Sequence, residues 1–552
     1  MTSSYALSTE SETRRGTFLE NFGRTTTFWF RATGIYLSYK TAQARAQFLK
    51  ARGHSPDEIR DQLWEPHHAW AGDKMYALAV DLRGFYLKVF QFIGARGDFV
   101  PEAICKRLSR LHDEVPPMPP GQVRAILQNE FGVQRLEDVF EWIDLERPLG
   151  SASLAQVHKA RLVRPDSLAC NVVRSRVGET AQYTMRAGET LGDVAQRHLM
   201  TAEQLAACNP GLDPESVRQG QTINLPLSPR GIPRDPRGVC SGLAACTARQ
   251  NGAVNEDGVV AVKVQYPDAS HEMSLDLGNI RAFAQFLSKT ELQFDLASAV
   301  DELADQIRME FFFRREASVM DAISGHLKGA QGRIRVPKSV KGLVTERALV
   351  MDFIDGIQIT KLADKMKDRS ERERRLASRR ILSRVSEAYG RMLLNKGLFQ
   401  ADGHPGNILV LPGGRVGLID YGQSKQLEEV HRRALAKLVL AIHGRDDEKI
   451  AEALHDMGVI INTMDTPLRA KMACDMFDTK GGIDPFSEDS SLKNAPISTF
   501  PKDMFFVLRT TQLLRGLANG MEISDFSCAD QWAPYARKAL RGLGHAPGVE
   551  PV

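Results

Sequence analysis

The chain has 552 residues, which at about 150 residues per domain predicts three or four structural units. It is 43% hydrophobic and 25% charged, a composition that excludes global disorder, collagen and coiled coil. The net charge of +4 does not favour nucleic-acid binding, and no run of about 18 uncharged apolar residues predicts a transmembrane helix.

The N-terminal residues 1–147 are predicted to form a helical extension. From Phe18 to Arg52, aromatic and basic residues alternate with helical spacing. Such a helix fits a membrane surface, or packing on the protein body with its basic face in solvent, and the second interpretation is favoured. Further helices are expected from Lys74 to Gly94 and from Glu102 to Leu111, before prolines at 116–120 stop the pattern.

The N-terminus and the cysteines bear on the compartment. The frequent Ser, Thr and Arg residues up to Arg31 suggest an organelle transit sequence, whereas Glu10, Glu12 and Glu20 argue against one. The 7 cysteines include no Cys-x-x-Cys pair. Reduced thiols are the favoured interpretation, with an approach of two cysteines near residues 240–246 as the alternative.

Two alternating segments, Ala155–Val163 and Val259–Val264, predict a pair of strands. Residues 165–256 between them have their own turn chemistry, so they are interpreted as a small domain inserted at a loop tip, with a Pro/Arg/Gly tether at its exit. Residues 148–164 and 257–355 then form one mixed lobe, and 356–552 a helical lobe. The fold class is α+β.

The sharpest chemical signal is the segment 400–410, followed by a hairpin turning at 412–414. Asp402 and Asn407 are five residues apart, and the return strand leads to Asp420-Tyr421-Gly422. In protein kinases, an Asp and an Asn with this spacing precede the Asp of Asp-Phe-Gly. Asn407 and Asp420 fit as Mg²⁺ ligands, because Mg²⁺ on nucleotide phosphates prefers hard oxygen donors. Asp402 is placed near the phosphoryl acceptor.

The upstream half supplies the complementary groups for ATP. Lys263 in the strand 260–264 matches the kinase lysine that pairs with nucleotide phosphates. The small residues Gly150, Ser151, Ala152 and Ser153 occupy the place of the glycine-rich loop, where a small side chain lets the backbone approach a nucleotide.

Two further features refine the kinase comparison. The segment 345–354 resembles a strand leading to an inter-lobe hinge, so the backbone near Met351 and Phe353 is expected to meet adenine. An ordinary buried strand fits this segment equally well. After Gly422 a helix is predicted from about Gln426, which leaves no room for a long activation segment and disfavours a protein substrate.

These motifs together resemble the UbiB/AarF-type (ABC1-like) atypical kinases. The resemblance extends over most of residues 17–543 apart from the insertion. In the N-terminal half it rests on Lys88-Val89-Phe90-Gln91 in place of Lys-x-Gly-Gln, the loop 148–158 and the strand 260–263. Further along the chain it rests on Glu310 with Glu316-Ala317, the segment 400–407 and the motif 420–422. It implies a bilobal protein kinase-like fold, ATP and Mg²⁺ as cofactors, and a role in isoprenoid quinone metabolism. It also implies that Lys88 and Gln91 gate the nucleotide site and that Glu310 pairs with Lys263.

The sequence departs from that family's pattern in five places. Phe90 replaces a glycine, Phe312 replaces the acidic partner of Glu310, and Gly150-Ser151 replaces alanines. Gln400 replaces a histidine, and Gly403 replaces a proline. Nucleotide binding is therefore expected more firmly than turnover.

The insertion resembles a LysM domain over 182–227, a fold with the order strand, helix, helix, strand. Thr190 and Thr201 are suitable N-caps for its two helices. LysM domains bind N-acetylglucosamine polymers, so the resemblance implies a glycan or protein partner. A retained interaction module or a spacer, in either case without glycan binding, is the favoured alternative.

The leading hypothesis is a Mg-ATP-dependent kinase or ATPase of prenylquinone or other lipid metabolism, peripheral to a membrane of a mitochondrion or chloroplast. Its motif residues are Lys263, Glu310, Asp402, Asn407 and Asp420. The alternatives are a catalytically weak pseudokinase scaffold and a glycan-binding LysM protein with a kinase-like body. No nucleic-acid partner is expected.

Overall fold

In a computed structural model of the chain, helices and strands follow one another broadly as the sequence predicts. The structure describes residues 4–94, 100–112, 117–151, 154–164, 180–185, 189–197, 202–207, 209, 212, 217–226, 236–250, 254, 257–267, 269–290, 300–301, 304, 307–401, 403–480 and 497–541. Mixed helix and sheet confirm the α+β class.

The helices of the described residues are α1 (Ser4–Ala51), α2 (Pro56–Ile59), α3 (Glu65–Leu82), α4 (Gly84–Gly94), α5 (Glu102–Leu108), α6 (Pro120–Phe131), α7 (Leu191–Arg197), α8 (Ala202–Ala207), α9 (Pro236–Gln250), α10 (Ala269–Thr290), α11 (Phe313–His326), α12 (Leu362–Lys365), α13 (Glu371–Arg391), α14 (Glu429–Gly444), α15 (Asp447–Asp456), α16 (Thr466–Phe477), α17 (Lys502–Gly520) and α18 (Cys528–Arg541). Two π-helical turns cover Arg60–Trp64 and Met392–Lys396.

The strands are β1 (Phe140–Ile143), β2 (Gly150–Ser151), β3 (Ala155–Leu162), β4 (Thr180–Thr184), β5 (Thr222–Pro226), β6 (Val259–Gln265), β7 (Ile334–Arg335), β8 (Ser339–Val344), β9 (Ala348–Asp352), β10 (Ile357–Gln358), β11 (Leu398–Gln400), β12 (Ile408–Val410), β13 (Val416–Leu418), β14 (Ser424–Gln426), β15 (Ile460–Ile461) and β16 (Ile497–Thr499).

The mixed lobe is a six-stranded sheet in which β1, β3, β6, β9 and β8 lie side by side and β2 folds back on β3. The predicted pair β3 and β6 is confirmed as an antiparallel ladder from Ala155 opposite Gln265 to Arg161 opposite Val259. One face of this sheet packs on α6 and α9, and the other shares its core with α11 and the helical lobe. The site therefore lies where the second face meets the helical lobe.

The helical lobe begins with α13, whose Ser370 accepts a hydrogen bond from Glu373 N–H while Glu373 bonds back to Ser370. This reciprocal cap satisfies two of the backbone donors that a helix leaves unpaired at its N-terminus. The buried face of α13 continues through Met392–Lys396 into β11, and β12 and β13 form the predicted hairpin. The lobe thus delivers the segment 400–407 and the motif 420–422 to one end of its core.

The N-terminal extension packs as a helical layer. The predicted helix from Phe18 is part of α1, and its Phe28 and Ala32 are buried with residues of α3, α4 and α10. Arg24 forms a bidentate ion pair with the buried Asp276 at 2.7–2.8 Å. The single helix expected from Lys74 to Gly94 is instead two, because Arg83 has a φ of 54° and breaks it.

The insertion contains β4, α7, α8 and β5 in that order, with β4 and β5 antiparallel and a small core of its own. Thr190 is the predicted N-cap of α7, since its Oγ1 accepts from Asp193 N–H at 3.2 Å. Thr201 lies outside the described residues.

The exit of the insertion leads into a helix that the sequence analysis did not predict. Residues 227–235 lie outside the described part of the chain, but α9 follows them and buries Ala244, Ala245 and Ala248 against the six-stranded sheet. Pro236 begins this helix, where its fixed φ is favourable. Cys246 in α9 is disulfide-bonded, so the expectation of reduced thiols is wrong for this residue.

Among the described residues, no helix combines the length and the apolar character needed to cross a membrane.

Candidate nucleotide and metal site

Lys263 lies on the face of the sheet that meets the helical lobe. In the ladder, Lys263 is opposite Val157 on one side and Leu349 on the other, and Ala261 is opposite Met351. Residues two apart on a strand share a face, so Ala261, Lys263 and Met351 lie on one surface. Ala261 and Met351 are buried there. Met351 is therefore placed beside Lys263, where the sequence predicts the adenine end of a nucleotide.

Three charged groups meet around Lys263. Its Nζ donates to both carboxylate oxygens of Glu316 at 2.7 and 2.9 Å, and lies 3.4 Å from Asp420 Oδ1. The Glu316 side chain, on the first turn of α11, is only 4% exposed. A buried carboxylate at this position holds the lysine in place with two charge-assisted hydrogen bonds.

The expected pairing of Glu310 with Lys263 is wrong. Glu310 precedes α11 and binds Lys88 of the extension, with Nζ at 2.9 Å from Oε2. Gln423 Nε2 also donates to Glu310 Oε1. Because α11 starts only at Phe313, Glu310 lies before the helix and Glu316 is the carboxylate that points at the strand.

The hairpin brings Asn407 and Asp420 to the same end of β12 and β13. Ile408 is opposite Leu418, and Ile419 N–H donates to Asn407 O at 3.1 Å, so both residues flank the open end of the ladder. Asp420 Oδ1 accepts from Gly422 N–H at 3.0 Å. Within the part of the chain that the structure describes, Asp420 Oδ2 accepts no hydrogen bond, and the side chain is 41% exposed.

This donor set fits Mg²⁺. An accessible carboxylate oxygen next to an asparagine is a hard oxygen site, and Mg²⁺ in nucleotide sites typically takes one or two protein ligands and completes its shell with phosphates and water. No three His, Cys, Asp or Glu side chains of the described residues converge elsewhere as a metal site. Asn407 and Asp420 are thus the residues that would hold the metal.

The electrostatics of the cluster follow from burial and mutual attraction. Burial opposes the charge of Asp420, but Lys263, the Gly422 N–H and Lys88 outweigh it and lower the pKa of that carboxyl. Burial likewise opposes the charge of Lys263, yet Asp420 and Glu316 raise its pKa above the ordinary value. For Glu316, burial and the neighbouring Asp420 overcome the attraction of Lys263 and raise the pKa to about 7.

The loop over the site is described only in part. Gly150 and Ser151 form β2 and pair with Val157 and Gln156, so the predicted loop folds back over the strand next to Lys263. Ser151 Oγ is 2.6 Å from the hydroxyl of Tyr266. Ala152, Ser153 and Asp402 lie outside the described residues.

Phe353, the other predicted hinge residue, follows β9 directly. Its ring lies under the ammonium group of Lys159, 4.4 Å from the ring centroid. The hinge strand is held at Asp352, whose N–H donates to Lys338 O at 2.9 Å.

The extension contributes one of its two predicted gating residues to the site. Lys88 binds Glu310, which also accepts from Gln423 beside the motif 420–422, whereas Gln91 Nε2 donates to the backbone oxygen of Leu111 at 2.8 Å. Phe90 is buried in the core of the extension, and Phe312 is largely exposed. Neither Phe90 nor Phe312, the two aromatic residues that differ from the family pattern, therefore fills the space between Lys263 and Asp420.

Gln400 and Gly403, which differ from the family's histidine and proline, both lie close to Tyr389 of α13. Gln400 Nε2 donates to the backbone oxygen of Asp420, and Gln400 Oε1 accepts from the Tyr389 hydroxyl at 3.2 Å. A Cβ at Gly403 would lie 1.9 Å from that hydroxyl. The tyrosine thus occupies the space that a proline side chain would need, and Gln400 ties it to Asp420.

Sequence reasoning did not assign two residues of this site, Glu316 and Gln423. Glu316 was named only as part of the family resemblance and was given no role, although it is the first acidic residue after Glu310. Gln423 has no sequence signal beyond its position after the motif 420–422.

Comparisons with known proteins agree with the geometry. The model of the ABC1 atypical kinase-like domain matches residues 110–209 and 249–454, more than half of the chain. The protein ACTIVITY OF BC1 COMPLEX KINASE 8, chloroplastic, of Arabidopsis thaliana is 24% identical over 388 residues, which cover 69% of this chain and 38% of the plant protein. The chain thus spans less than half of that relative.

AarF domain-containing protein kinase 1 of Mus musculus is 22% identical over 495 residues, 86% of this chain and 74% of the mouse protein. Among solved structures, the complex of Rv3197 with erythromycin from Mycobacterium tuberculosis has a TM-score of 0.45 and 16% identity, and covers 89% of this chain and 100% of that one. A TM-score of this size does not identify a shared fold by itself.

Proposed function

Because the chain belongs to the ABC1 atypical kinase-like family, we propose that it binds Mg-ATP and transfers or hydrolyses the terminal phosphoryl group. The observation that carries this proposal is the cluster of Lys263, Glu316 and Asp420, in which one ammonium group lies within 3.4 Å of carboxylates from both lobes. Such a cluster is the arrangement by which kinases hold nucleotide phosphates.

Each residue has a distinct part in the proposed chemistry. Lys263, held by Glu316, binds phosphate oxygens, and Met351 lines the adenine end of the cleft. Asn407 and Asp420 would hold Mg²⁺, which neutralises charge on the transferring phosphoryl group. Asp402, as the residue nearest the acceptor in the kinase comparison, would orient the acceptor hydroxyl or water.

The acceptor is proposed to be small or lipidic. Only three residues separate Asp420 from β14, which pairs with β11, and α14 starts at Glu429. The chain therefore has no long segment after Gly422 on which a peptide could be held. Lipid or prenylquinone metabolism is the proposed context.

The test is calorimetric titration with Mg-ATP of the wild type, Lys263→Met and Lys471→Met. Lys471 is exposed on α16 and belongs to no part of the site, so it is the matched control. We expect binding in the wild type and in the control and at least a tenfold loss in Lys263→Met, since a charge-assisted hydrogen bond contributes about 1.5–3 kcal/mol. Equal binding in all three would contradict the proposal.

Phosphate release separates the enzyme from the pseudokinase scaffold. The contact of Lys88 and Gln423 with Glu310 favours a weakly active or gated protein, because it places the extension beside the metal-binding motif. Mg-ATP binding without phosphate release, in the presence and absence of a quinone-like lipid, would support the scaffold.

Association with the surface of an organelle membrane is also proposed, in a mitochondrion or chloroplast. The support is α1, which exposes Phe22, Phe30, Leu37 and Phe48, and residues 21–56, which include no acidic residue. A basic helix with exposed apolar side chains binds anionic bilayers. Vesicle co-sedimentation should weaken in Phe30→Ser but not in Phe505→Ser, an exposed phenylalanine elsewhere.

For the insertion we propose a LysM module that binds N-acetylglucosamine polymers or a protein. The order of β4, α7, α8 and β5 is the support. Retention on chitin beads that soluble chitin oligomers compete away is the expected result. No retention would favour a spacer.

A further inference from the structure

A second charged cavity lies in the helical lobe, lined by residues that differ from those of the nucleotide site. It has a volume of about 520 Å³ and lies between the end of α11, the π-helical turn Met392–Lys396, the start of α14 and the end of α18. Its polar lining consists of His326, Asn395, Lys396, Glu429, Arg432 and Lys538.

The lining has an excess of positive charge. The one carboxylate, Glu429, is neutralised by Arg432 at 2.6 Å, and Arg432 is fixed further by bonds to the backbone oxygens of Leu394 and Asn395. Lys396 and Lys538 have no carboxylate within 4.0 Å among the residues that the structure describes. Two lysine ammonium groups thus face the cavity without a counter-ion from this part of the chain.

The positive surface continues beyond the cavity mouth. A groove of about 490 Å³ adjoins it, lined by Pro534, Arg537, Lys538 and Arg541 of α18. Lys538 lines both spaces. An anionic group held in the cavity could therefore belong to a larger ligand that extends along α18.

Two polar atoms of the lining residues are shielded from solvent in this conformation and lack partners. His326 Nδ1 and Asn395 Oδ1 form no hydrogen bond with the described residues. Unpaired buried atoms of this kind are rare in folded proteins. The Asn395 amide can rotate to present its N–H₂, and a protonated His326 would donate from Nδ1.

The backbone around the cavity is unusual as well. Asn395 and Lys396 belong to a π-helical turn, and such turns are frequent at functional sites. The segment ends at Gly397, in the left-handed region with a φ of 74°, which fixes the direction in which Lys396 leaves the helix. The turn thus places two cavity residues at the point where α13 gives way to β11.

We propose that this cavity binds a phosphate-bearing ligand. Two ammonium groups, a histidine and a rotatable amide around a space of this size match the charge and the several acceptor oxygens of a phosphate or diphosphate. The ligand is either a free phosphorylated small molecule or the headgroup of an anionic lipid, which share this chemistry.

The first experiment uses inorganic pyrophosphate as the probe, without Mg²⁺ and at constant ionic strength. Calorimetry is performed on the full chain and on Lys396→Gln, Lys538→Gln, Lys263→Met and Lys471→Gln. Lys471 is exposed on α16 and serves as the control for general loss of charge. We expect about a tenfold or larger loss of affinity in the two cavity variants and wild-type affinity in Lys471→Gln, whereas Lys263→Met removes only the part of the binding that takes place at the nucleotide site.

Loss of binding only in Lys263→Met would place pyrophosphate in the nucleotide site and overturn the proposal for the free ligand. An equal loss of pyrophosphate affinity in Lys471→Gln would show that the ion is attracted by overall charge only, and this result would also overturn the proposal. In a second readout, nuclear magnetic resonance should show the pKa of His326 rising when pyrophosphate binds. Burial and Lys396 hold that pKa below its ordinary value in the free protein.

The second experiment distinguishes the sources of the phosphate. Vesicles of phosphatidylcholine with and without phosphatidic acid are sedimented with the same variants. Retention that depends on phosphatidic acid, Lys396 and Lys538, without pyrophosphate binding, supports a lipid headgroup. Pyrophosphate binding without such retention supports a free ligand. If the protein binds neither pyrophosphate nor the vesicles that contain phosphatidic acid, the proposal is overturned. The Mg-ATP titration of Lys263→Met is a separate test of the nucleotide site.

Discussion

Two ion pairs lie close together in this molecule and differ in what they connect. Lys263 and Glu316 join a strand to a helix within the mixed lobe, and the Glu316 carboxylate is almost completely buried. Lys88 and Glu310 join the N-terminal extension to the body, and both are partly accessible. The first pair is thus internal to one lobe, whereas the second spans the contact between the extension and the body.

The largest expected effect comes from breaking the inner pair. Glu316→Ala leaves the Lys263 ammonium buried with only Asp420 at 3.4 Å. Removal of one partner from a buried pair typically costs about 3–5 kcal/mol. Urea unfolding should show a loss of this size in the free energy of unfolding, and a smaller loss for Glu310→Ala. Equal losses would show that the two pairs do not differ as described.

A second prediction concerns the packing behind Asp420. Gly403→Ala should destabilise the protein by about 1–3 kcal/mol, because the new Cβ would overlap the Tyr389 hydroxyl. In Tyr389→Phe the hydroxyl is absent, so adding Gly403→Ala to that variant should cost less. A double-mutant cycle in thermal unfolding measures the difference. Additive losses would mean that residues 389 and 403 are independent.

The outer pair can be tested through the metal. Lys88 lies near enough to Asp420 to help keep it charged, so its ammonium group repels a cation bound there. Lys88→Ala should therefore raise the affinity for Mg²⁺ in the presence of ATP, by about two- to tenfold at an effective surface dielectric. Magnesium titration at fixed ATP is the measurement, with Lys471→Ala, on the exposed face of α16, as the control. An unchanged or weaker affinity would argue against a gating role for the extension.

The inner pair also gives the stability a pH dependence. The pKa of Glu316 is raised from 4.5 to about 7, so its contribution to stability is complete below 4.5 and is lost as the pH rises through about 7. Glu316→Gln does not titrate. The free energy of unfolding of the wild type, relative to this variant, should fall between pH 5 and 8. A constant difference would contradict the raised pKa.

The sequence predicted those parts of the site that are encoded by local spacing. Asn407 and Asp420 are brought together by a hairpin whose turn residues, Pro412-Gly413-Gly414, are visible in the chain. The strand with Lys263 was equally clear, because it alternates and is flanked by glycine. These features need no knowledge of the tertiary fold.

Tertiary packing decided the remainder. Glu310 and Glu316 are six residues apart, and the choice between them depends on where α11 begins and on how it packs against β6. The bond of Gln91 to Leu111 depends on the contact between two helices of the extension. The helix α9 was not predicted, because it follows directly on a Pro-rich stretch that ends at its first residue, Pro236.

The most direct test of the nucleotide site is Mg-ATP-dependent thermal stabilisation of the wild type, Asp420→Asn and Asp368→Asn. A ligand that binds only the folded state raises the unfolding midpoint. At a ligand concentration about a hundredfold over the dissociation constant, the free energy of unfolding rises by about 2.7 kcal/mol. Asp368 is exposed and serves as the matched control. We predict a shift in the wild type and in Asp368→Asn that requires Mg²⁺ and is lost in Asp420→Asn. No shift in the wild type, or the same shift in Asp420→Asn, would contradict a Mg-nucleotide site between Lys263 and Asp420.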